Sequence, residues 1–357
     1  MLKHVGGQSL TRQPTHGQGV PARAGGIRFH AHGLLGKGSF GAVYLAVAHG
    51  DGADGLQVAI KSIKPHEAAN EIRALSLLRG CPNVVELLGT FESVGMGEPV
   101  MNLVLEYVPD TLQRIIKHQR YAVGRRMDLY HVCVFAYQLF RALAALFRRD
   151  IIHRDIKPAN ILIEPKTYEL KLCDFGASKL PDTEEAHNVY RCSRFYRAPE
   201  LILSTPAYTA AVDWWSAGCV LAEMLIGQHL FAGKDGVDQF GQIVEVLGTP
   251  SPADFYAMNP QYDASVGFGQ PIEPLQWHEV LGGGLQAEVT ELVGGLLRYD
   301  PADRLPPLRV LAAAAFDGLR RATLNASSGV RRLVELGPEE LQGCSRSLAE
   351  RLSLPQA

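Results

Sequence analysis

Ile152-His153-Arg154-Asp155-Ile156-Lys157-Pro158-Ala159-Asn160 carries the residue types needed to activate an alcohol, and Asp174-Phe175-Gly176 follows fourteen residues after Asn160. Asp155 can receive a hydroxyl proton, or orient the hydroxyl that loses it. Lys157 can neutralise charge on a phosphoryl group in transit. Asn160 and Asp174 supply hard oxygen donors suited to magnesium. Phosphoryl transfer needs positioning and charge neutralisation more than covalent chemistry, and this set offers both. His153 and Phe175, in the same two segments, read as packing residues rather than reactants.

Such chemistry also needs a nucleotide. Gly36-Lys37-Gly38-Ser39-Phe40-Gly41-Ala42-Val43 is a GxGxxGxV run, whose glycines let backbone close over phosphates. Alone it also fits a plain hairpin turn. Its place between strands, rather than at the opening of a helix, disfavours a dinucleotide site. Val58-Ala59-Ile60-Lys61 sets a lysine twenty residues after Gly41, where it can reach the α and β phosphates. A strand lysine by itself reads as solvated; the glycine run reverses that reading. Lys61 needs an anion, and Glu71 on the following helix is the candidate, with Glu67 as rival. Glu71 is favoured because Glu71 and Leu75, one turn apart, can share an inward face. Glu200, in Ala198-Pro199-Glu200, calls for a buried cation, and Arg304 is its proposed partner. Asp213, before Trp214-Trp215-Ser216, is placed to tie a helix start to the loop of Asp155.

The elements around these residues follow from periodicity. Strand and turn run from Ile27 to Lys64, with strands at Val43–Val47 and Gln57–Lys61. Helical spacing holds from Glu67 to Leu78, where Ile72, Leu75 and Leu78 recur three apart. Val84–Gly89 and Leu103–Val108 read as two more strands. After Pro109 the chain turns helical, with buried helices expected over Leu129–Arg148 and Val212–Gly227. From Leu324 onward it reads as a polar tail with a few apolar anchors, such as Leu333, Val334 and Leu341. The fold class is therefore α+β: a small β-rich lobe with one main helix, then a larger, mostly helical lobe. The expected divisions are a disordered arm over 1–26, lobes over 27–107 and 108–320, and a tail over 321–357.

Composition bounds the partners. The chain has 357 residues, 46% apolar and 20% charged, with formal net charge -2, which argues against a general nucleic-acid or membrane binder. No segment reaches the roughly 20 apolar residues that span a bilayer. The six cysteines show no CxxC spacing and read as reduced thiols of a cytoplasmic or nuclear protein. Residues 1–26 read as a solvated arm, with a targeting role as the alternative.

The span from about Ile27 to Arg320 resembles a eukaryotic protein kinase. Within that superfamily it resembles glycogen synthase kinase-3, of the group that also holds cyclin-dependent and mitogen-activated kinases. Asn102–Thr111, Leu170–Lys179, Cys192–Glu200 and Trp215–Glu223 carry the likeness, with Gly236–Gln239 and Val246–Pro250. The resemblance implies a bilobal kinase fold, ATP and Mg2+ as cofactors, and protein Ser/Thr substrates. It makes Leu105 the residue beside the adenine and gives Glu106 and Val108 backbone hydrogen bonds to the base, with Val43, Ala59 and Tyr107 in the same ATP site. It also places an activation-loop phosphotyrosine at Tyr190. A buried, unmodified tyrosine is the alternative there.

Two departures from the family bear on regulation. The family prefers substrates already phosphorylated four residues after the target and binds that priming phosphate with three basic residues. Arg154 and Lys179 match two; the third position holds Asn70. An amide cannot replace the charged planar fork of a guanidinium, so reduced dependence on priming is expected. The family's scaffold proteins dock near the segment matching Asn259–Tyr262. Here Ser265 replaces an aromatic, which argues against such a partner. Ser9 follows Gly-Gly-Gln, so inhibitory phosphorylation of the arm is not expected. The alternatives are a catalytically silent pseudokinase that signals by binding, and a divergent cyclin-dependent-like kinase.

Overall fold

Alternating apolar residues and tight turns fold the beginning of the chain into strands; longer apolar stripes fold the remainder into helices. The computed structural model describes residues 22–24, 26–38, 41–50, 52–95, 97–181, 193–205, 207–261, 270–324 and 328–353. Two compact units result: Met1–Pro109 with Asp174–Ser178, and Asp110–Cys173 with Lys179–Ala357. The division falls two residues beyond the lobe boundary expected from sequence.

The first unit is a six-stranded antiparallel sheet. Its strands are β1 (Ala22–Ala24), β2 (Ile27–Gly38), β3 (Gly41–His49), β4 (Leu56–Ile63), β5 (Leu87–Gly95) and β6 (Glu98–Glu106), in the order β1-β2-β3-β4-β6-β5. Ile27, Phe29, Ala46, Ala48, Val58, Ile60, Phe91 and Val104 form a core on one face. Strand side chains alternate, so the opposite face carries Val43, Ala59, Lys61, Leu103 and Leu105. The register sets Val43 and Leu103 on either side of Lys61, and Ala59 beside Leu105. Helix α1 (Pro65–Leu77) starts with proline, whose missing N–H costs nothing in a first turn, and buries Ala68, Glu71, Ala74 and Leu75.

Three expectations change in this unit. The arm does not extend through residue 26, because β1 pairs along β2 through backbone bonds that small residues signal poorly. The strand expected at Val84–Gly89 runs instead over Leu87–Gly95, with Val84 and Val85 buried ahead of it. The strand expected at Leu103–Val108 spans Glu98–Glu106.

The second unit joins a three-stranded antiparallel sheet, β7 (Asp110–Thr111), β8 (Ile161–Glu164) and β9 (Glu169–Leu172), to a set of helices. These begin with α2 (Leu112–Lys117), α3 (Leu129–Phe147), α4 (Pro199–Ile202) and α5 (Ala211–Ile226). Asp128 caps α3 by accepting the Tyr130 N–H. By length and composition α3 could cross a membrane, contrary to the sequence reading, yet 78% of its apolar window is buried inside the protein, as in a core helix.

The polar tail is also a structured part of this unit. It forms helices at Ser328–Val334 and Arg346–Leu352 and buries Leu333, Val334 and Leu352. Arg141 on the buried α3 needs an anion. Glu340 supplies it in a two-pronged pair, with nitrogen–oxygen distances of 2.7 and 2.6 Å. Arg148 also donates to the Glu340 carbonyl.

Candidate active site

In the first unit, β4 and α1 bring Lys61 and Glu71 together. Lys61 Nζ donates to Glu71 Oε2 at 2.6 Å and to Asp174 Oδ1 at 2.7 Å. The rival Glu67 instead lies 4.0 Å from His66. Burial by itself would lower the Lys61 pKa, but the two carboxylates and their hydrogen bonds outweigh it and hold the ammonium above its ordinary range. Burial pushes the Glu71 carboxyl up, opposed by Lys61 and by the Phe175 backbone N–H. Asp174 sits at φ +66°, a left-handed conformation that L residues adopt at a cost.

The glycine run straddles the β2–β3 hairpin: Gly36 and Lys37 pair with Val43 and Ala42, and Gly38 pairs with Gly41. Ser39 and Phe40 lie outside the described residues. Gly41 is required by the fold itself, since at φ +150° a Cβ would stand 2.1 Å from the Ser62 carbonyl oxygen. Gly36 is different. A Cβ there meets no atom within 4 Å, so nothing in the first unit demands glycine. At the other end of this sheet face, Glu106 is fixed twice: its N–H donates to the Glu86 carbonyl and its Oε1 accepts the Glu86 N–H at 2.7 Å. Tyr107 and Val108 follow it, half-buried, past the end of β6.

In the second unit the loop from Ile152 to Asn160 is pinned from below by α5. Asp213 accepts the backbone N–H groups of His153 at 2.6 Å and Arg154 at 2.9 Å. The His153 ring is fully buried; its Nδ1 accepts the Asp155 N–H, so Nε2 carries the proton and donates to the Cys173 carbonyl. That leaves the Asp155 carboxylate oriented and bonded. Lys157 Nζ reaches Oδ2 at 2.6 Å, and Asn160 Nδ2 reaches the same oxygen at 2.9 Å. Ser193 Oγ donates to Oδ1 at 2.7 Å and accepts from Lys157 at 3.0 Å. Sequence reasoning missed Ser193, which lies between Cys192 and Arg194 with no pattern of its own. Its signal is chemical: a small hydroxyl in the stretch Cys192–Glu200.

Arg154 donates to the Tyr208 hydroxyl at 3.1 Å, and Lys179 Nζ lies 5.6 Å from the centre of the same ring. Both belong to the second unit, whereas Asn70 belongs to the first. Asn70 donates to the Ser178 carbonyl at 2.9 Å and contacts the Gly176 carbonyl and Ser178 Oγ at 3.4 Å. Glu200 and Arg304 form a buried, two-pronged pair at 2.6 and 2.7 Å, with the guanidinium stacked 5.1 Å from the Trp215 ring centre. Tyr190, Cys192, Ser9, Tyr262 and Ser265 lie outside the described residues.

Within the second unit Asn160 turns its amide nitrogen to Asp155; Asp174, the other magnesium ligand expected from sequence, belongs to the first unit. Among the described residues no group of three or more His, Cys, Asp or Glu could hold a metal.

The family model described as "Protein kinase domain" matches residues 29–316. That match runs from β2 in the first unit to Phe316 in the second and takes in every residue of both constellations; the chain belongs to the protein kinase family.

Proposed function

We propose that this protein kinase is a serine/threonine kinase similar to glycogen synthase kinase-3, using ATP with magnesium and showing little dependence on a priming phosphate. The observation that carries the Ser/Thr reading is Ser193 Oγ on Asp155 Oδ1 at 2.7 Å, beside Lys157 on Oδ2. An aliphatic hydroxyl fits against this carboxylate with a cation at hand.

Asp155 receives the proton of the substrate hydroxyl as its oxygen bonds to the γ-phosphorus and the bond to the β-phosphate oxygen breaks. Lys157 offsets charge on the group in transit. Lys61, kept charged by Glu71 and Asp174, holds the α and β phosphates. Gly36 leaves room for a phosphate to approach the backbone, and Val43, Ala59 and Leu105 offer an apolar face to the base. Magnesium, for which Asn160 and Asp174 are the ligands expected from sequence, would supply further charge neutralisation. Tyr190 is the proposed activation-loop phosphosite. A cytoplasmic or nuclear setting is proposed on the cysteine spacing of the sequence, which has no CxxC pair.

Magnesium-dependent transfer from ATP tests this reading, on matched Ser, Thr and Tyr peptides with and without phosphoserine four residues after the target. Asp155→Asn serves as control. Ser and Thr peptides should exceed the Tyr peptide by at least about ten-fold, with primed and unprimed rates similar. Transfer to tyrosine alone would overturn the specificity, and a strong primed preference would overturn the relaxed priming. Turnover no higher than the control would favour a silent scaffold.

A further inference from the structure

We infer that Asn70 is a positioning residue: its side-chain amide latches α1 to the segment after Asp174 and so keeps Glu71 on Lys61 by an uncharged internal bond. The inference rests on the kinase reading for its effect on rate, but the latch itself is geometry within the first unit.

Helix α1 has little of its own to hold it. Its N-cap Lys64 makes no side-chain cap bond, and its last turn carries no basic residue. Its placement therefore depends on tertiary contacts. Two adjacent residues provide polar ones to a single segment. Glu71 binds Lys61 at 2.6 Å and accepts the Phe175 N–H. Asn70 donates to the Ser178 carbonyl at 2.9 Å, with longer contacts to the Gly176 carbonyl and Ser178 Oγ. Ser178 is fully buried and its hydroxyl donates back to the Phe175 carbonyl at 2.7 Å. The chain of bonds closes: Asn70 fixes Ser178, Ser178 fixes Phe175, and Phe175 fixes Glu71.

The chemistry of residue 70 follows. Its partners at Gly176 and Ser178 are carbonyl oxygens, so it must donate. An amide donates both protons without needing a counter-ion. A carboxylate of the same shape would face those carbonyls as acceptor against acceptor. With the amide engaged on backbone oxygens, α1 needs no bound anion to hold its place.

The test measures the full-length chain and its Asn70→Ala, Asn70→Asp and Asn70→Gln variants by two readouts. One is kcat and peptide KM at saturating magnesium-ATP. The other is backbone hydrogen exchange of the peptides covering 172–180 and 65–77. Asn70→Ala should lower kcat about ten-fold with peptide KM unchanged within about two-fold. Asn70→Asp should fall further, and Asn70→Gln should recover part of the loss by restoring a donor. Exchange at 174–178 should quicken at least about five-fold in Asn70→Ala while peptides of α5 keep their protection. Wild-type kcat and wild-type exchange in Asn70→Ala would overturn the latch. Exchange that quickens throughout the chain would overturn a local role. Should the wild-type chain transfer no phosphate, the kinase reading fails, and the exchange data alone still decide the latch.

Discussion

The two polar constellations are built by opposite means. Lys61, Glu71 and Asp174 come from a strand, a helix and a segment 113 residues beyond the lysine, and they meet in a site where Glu71 is 1% exposed. Asp155, Lys157 and Asn160 come from one loop, spaced two and five residues from the aspartate, and Asp213 pins that loop through its backbone. The first is a charge cluster whose members compensate one another's desolvation. The second is a local arrangement whose backbone is held by a residue that takes no part in proton transfer. Loss of a side chain should therefore damage both stability and rate in the first, and rate alone in the second.

The largest break falls on the first constellation. Lys61→Met should lower kcat about 10²–10³-fold. It should also cost about 3–5 kcal/mol of stability, because Glu71 is left buried without its cation. The double variant Lys61→Met/Glu71→Leu should regain most of that stability in denaturant titration and none of the activity. A Lys61→Met chain as stable as wild type would mean the cluster is not desolvated as described. On the second constellation, Asp155→Asn should lower kcat about 10²–10⁴-fold while the melting temperature stays within about 2–4 °C. A large loss of stability there would erase the contrast.

Ser193→Ala sharpens the comparison at smaller scale. It removes one oriented bond from Asp155 and one from Lys157, so kcat should fall about ten-fold, with Ser193→Thr restoring it. Equal rates in wild type and Ser193→Ala would show that Lys157 and Asn160 suffice to hold the carboxylate.

What sequence could convey divides along the same line. The loop of Asp155 was legible because its residues are neighbours in the chain. The Lys61–Glu71 and Glu200–Arg304 pairings were legible because a buried charge demands a partner and few candidates sat on inward faces. The start of β5 was not, since Val84-Val85 is an apolar run equally suited to a strand or a buried connection. Nor was the use of Asn70, whose bonds go to backbone carbonyls that every sequence contains. The docked tail had one unread signal. Arg141 lies in an otherwise apolar helix and its carboxylate, Glu340, is 199 residues away.

The smallest effect tests the tail on its exposed side. Asp317 accepts a hydrogen bond from Arg351 at 2.6 Å and another from Arg320, which joins the helix Arg346–Leu352 to the helix Asp317–Leu324. Burial would raise the Asp317 carboxyl, but the two arginine hydrogen bonds outweigh it and hold it below its ordinary value of 3.8. A depressed carboxylate stabilises the fold fully above its unfolded pKa and loses that contribution as pH falls through the folded one. The pair is partly exposed, so Asp317→Asn should cost no more than about 1 kcal/mol at neutral pH, and less in high salt. The stability gap between Asp317→Asn and wild type should stay constant from neutral pH down to about 5 and close only below 3.8. By contrast Glu340→Gln, in the buried pair with Arg141, should cost about 3–5 kcal/mol and keep its effect in high salt. If both substitutions cost the same and both fade with salt, the tail is held by surface charge, and its packing against α3 contributes little.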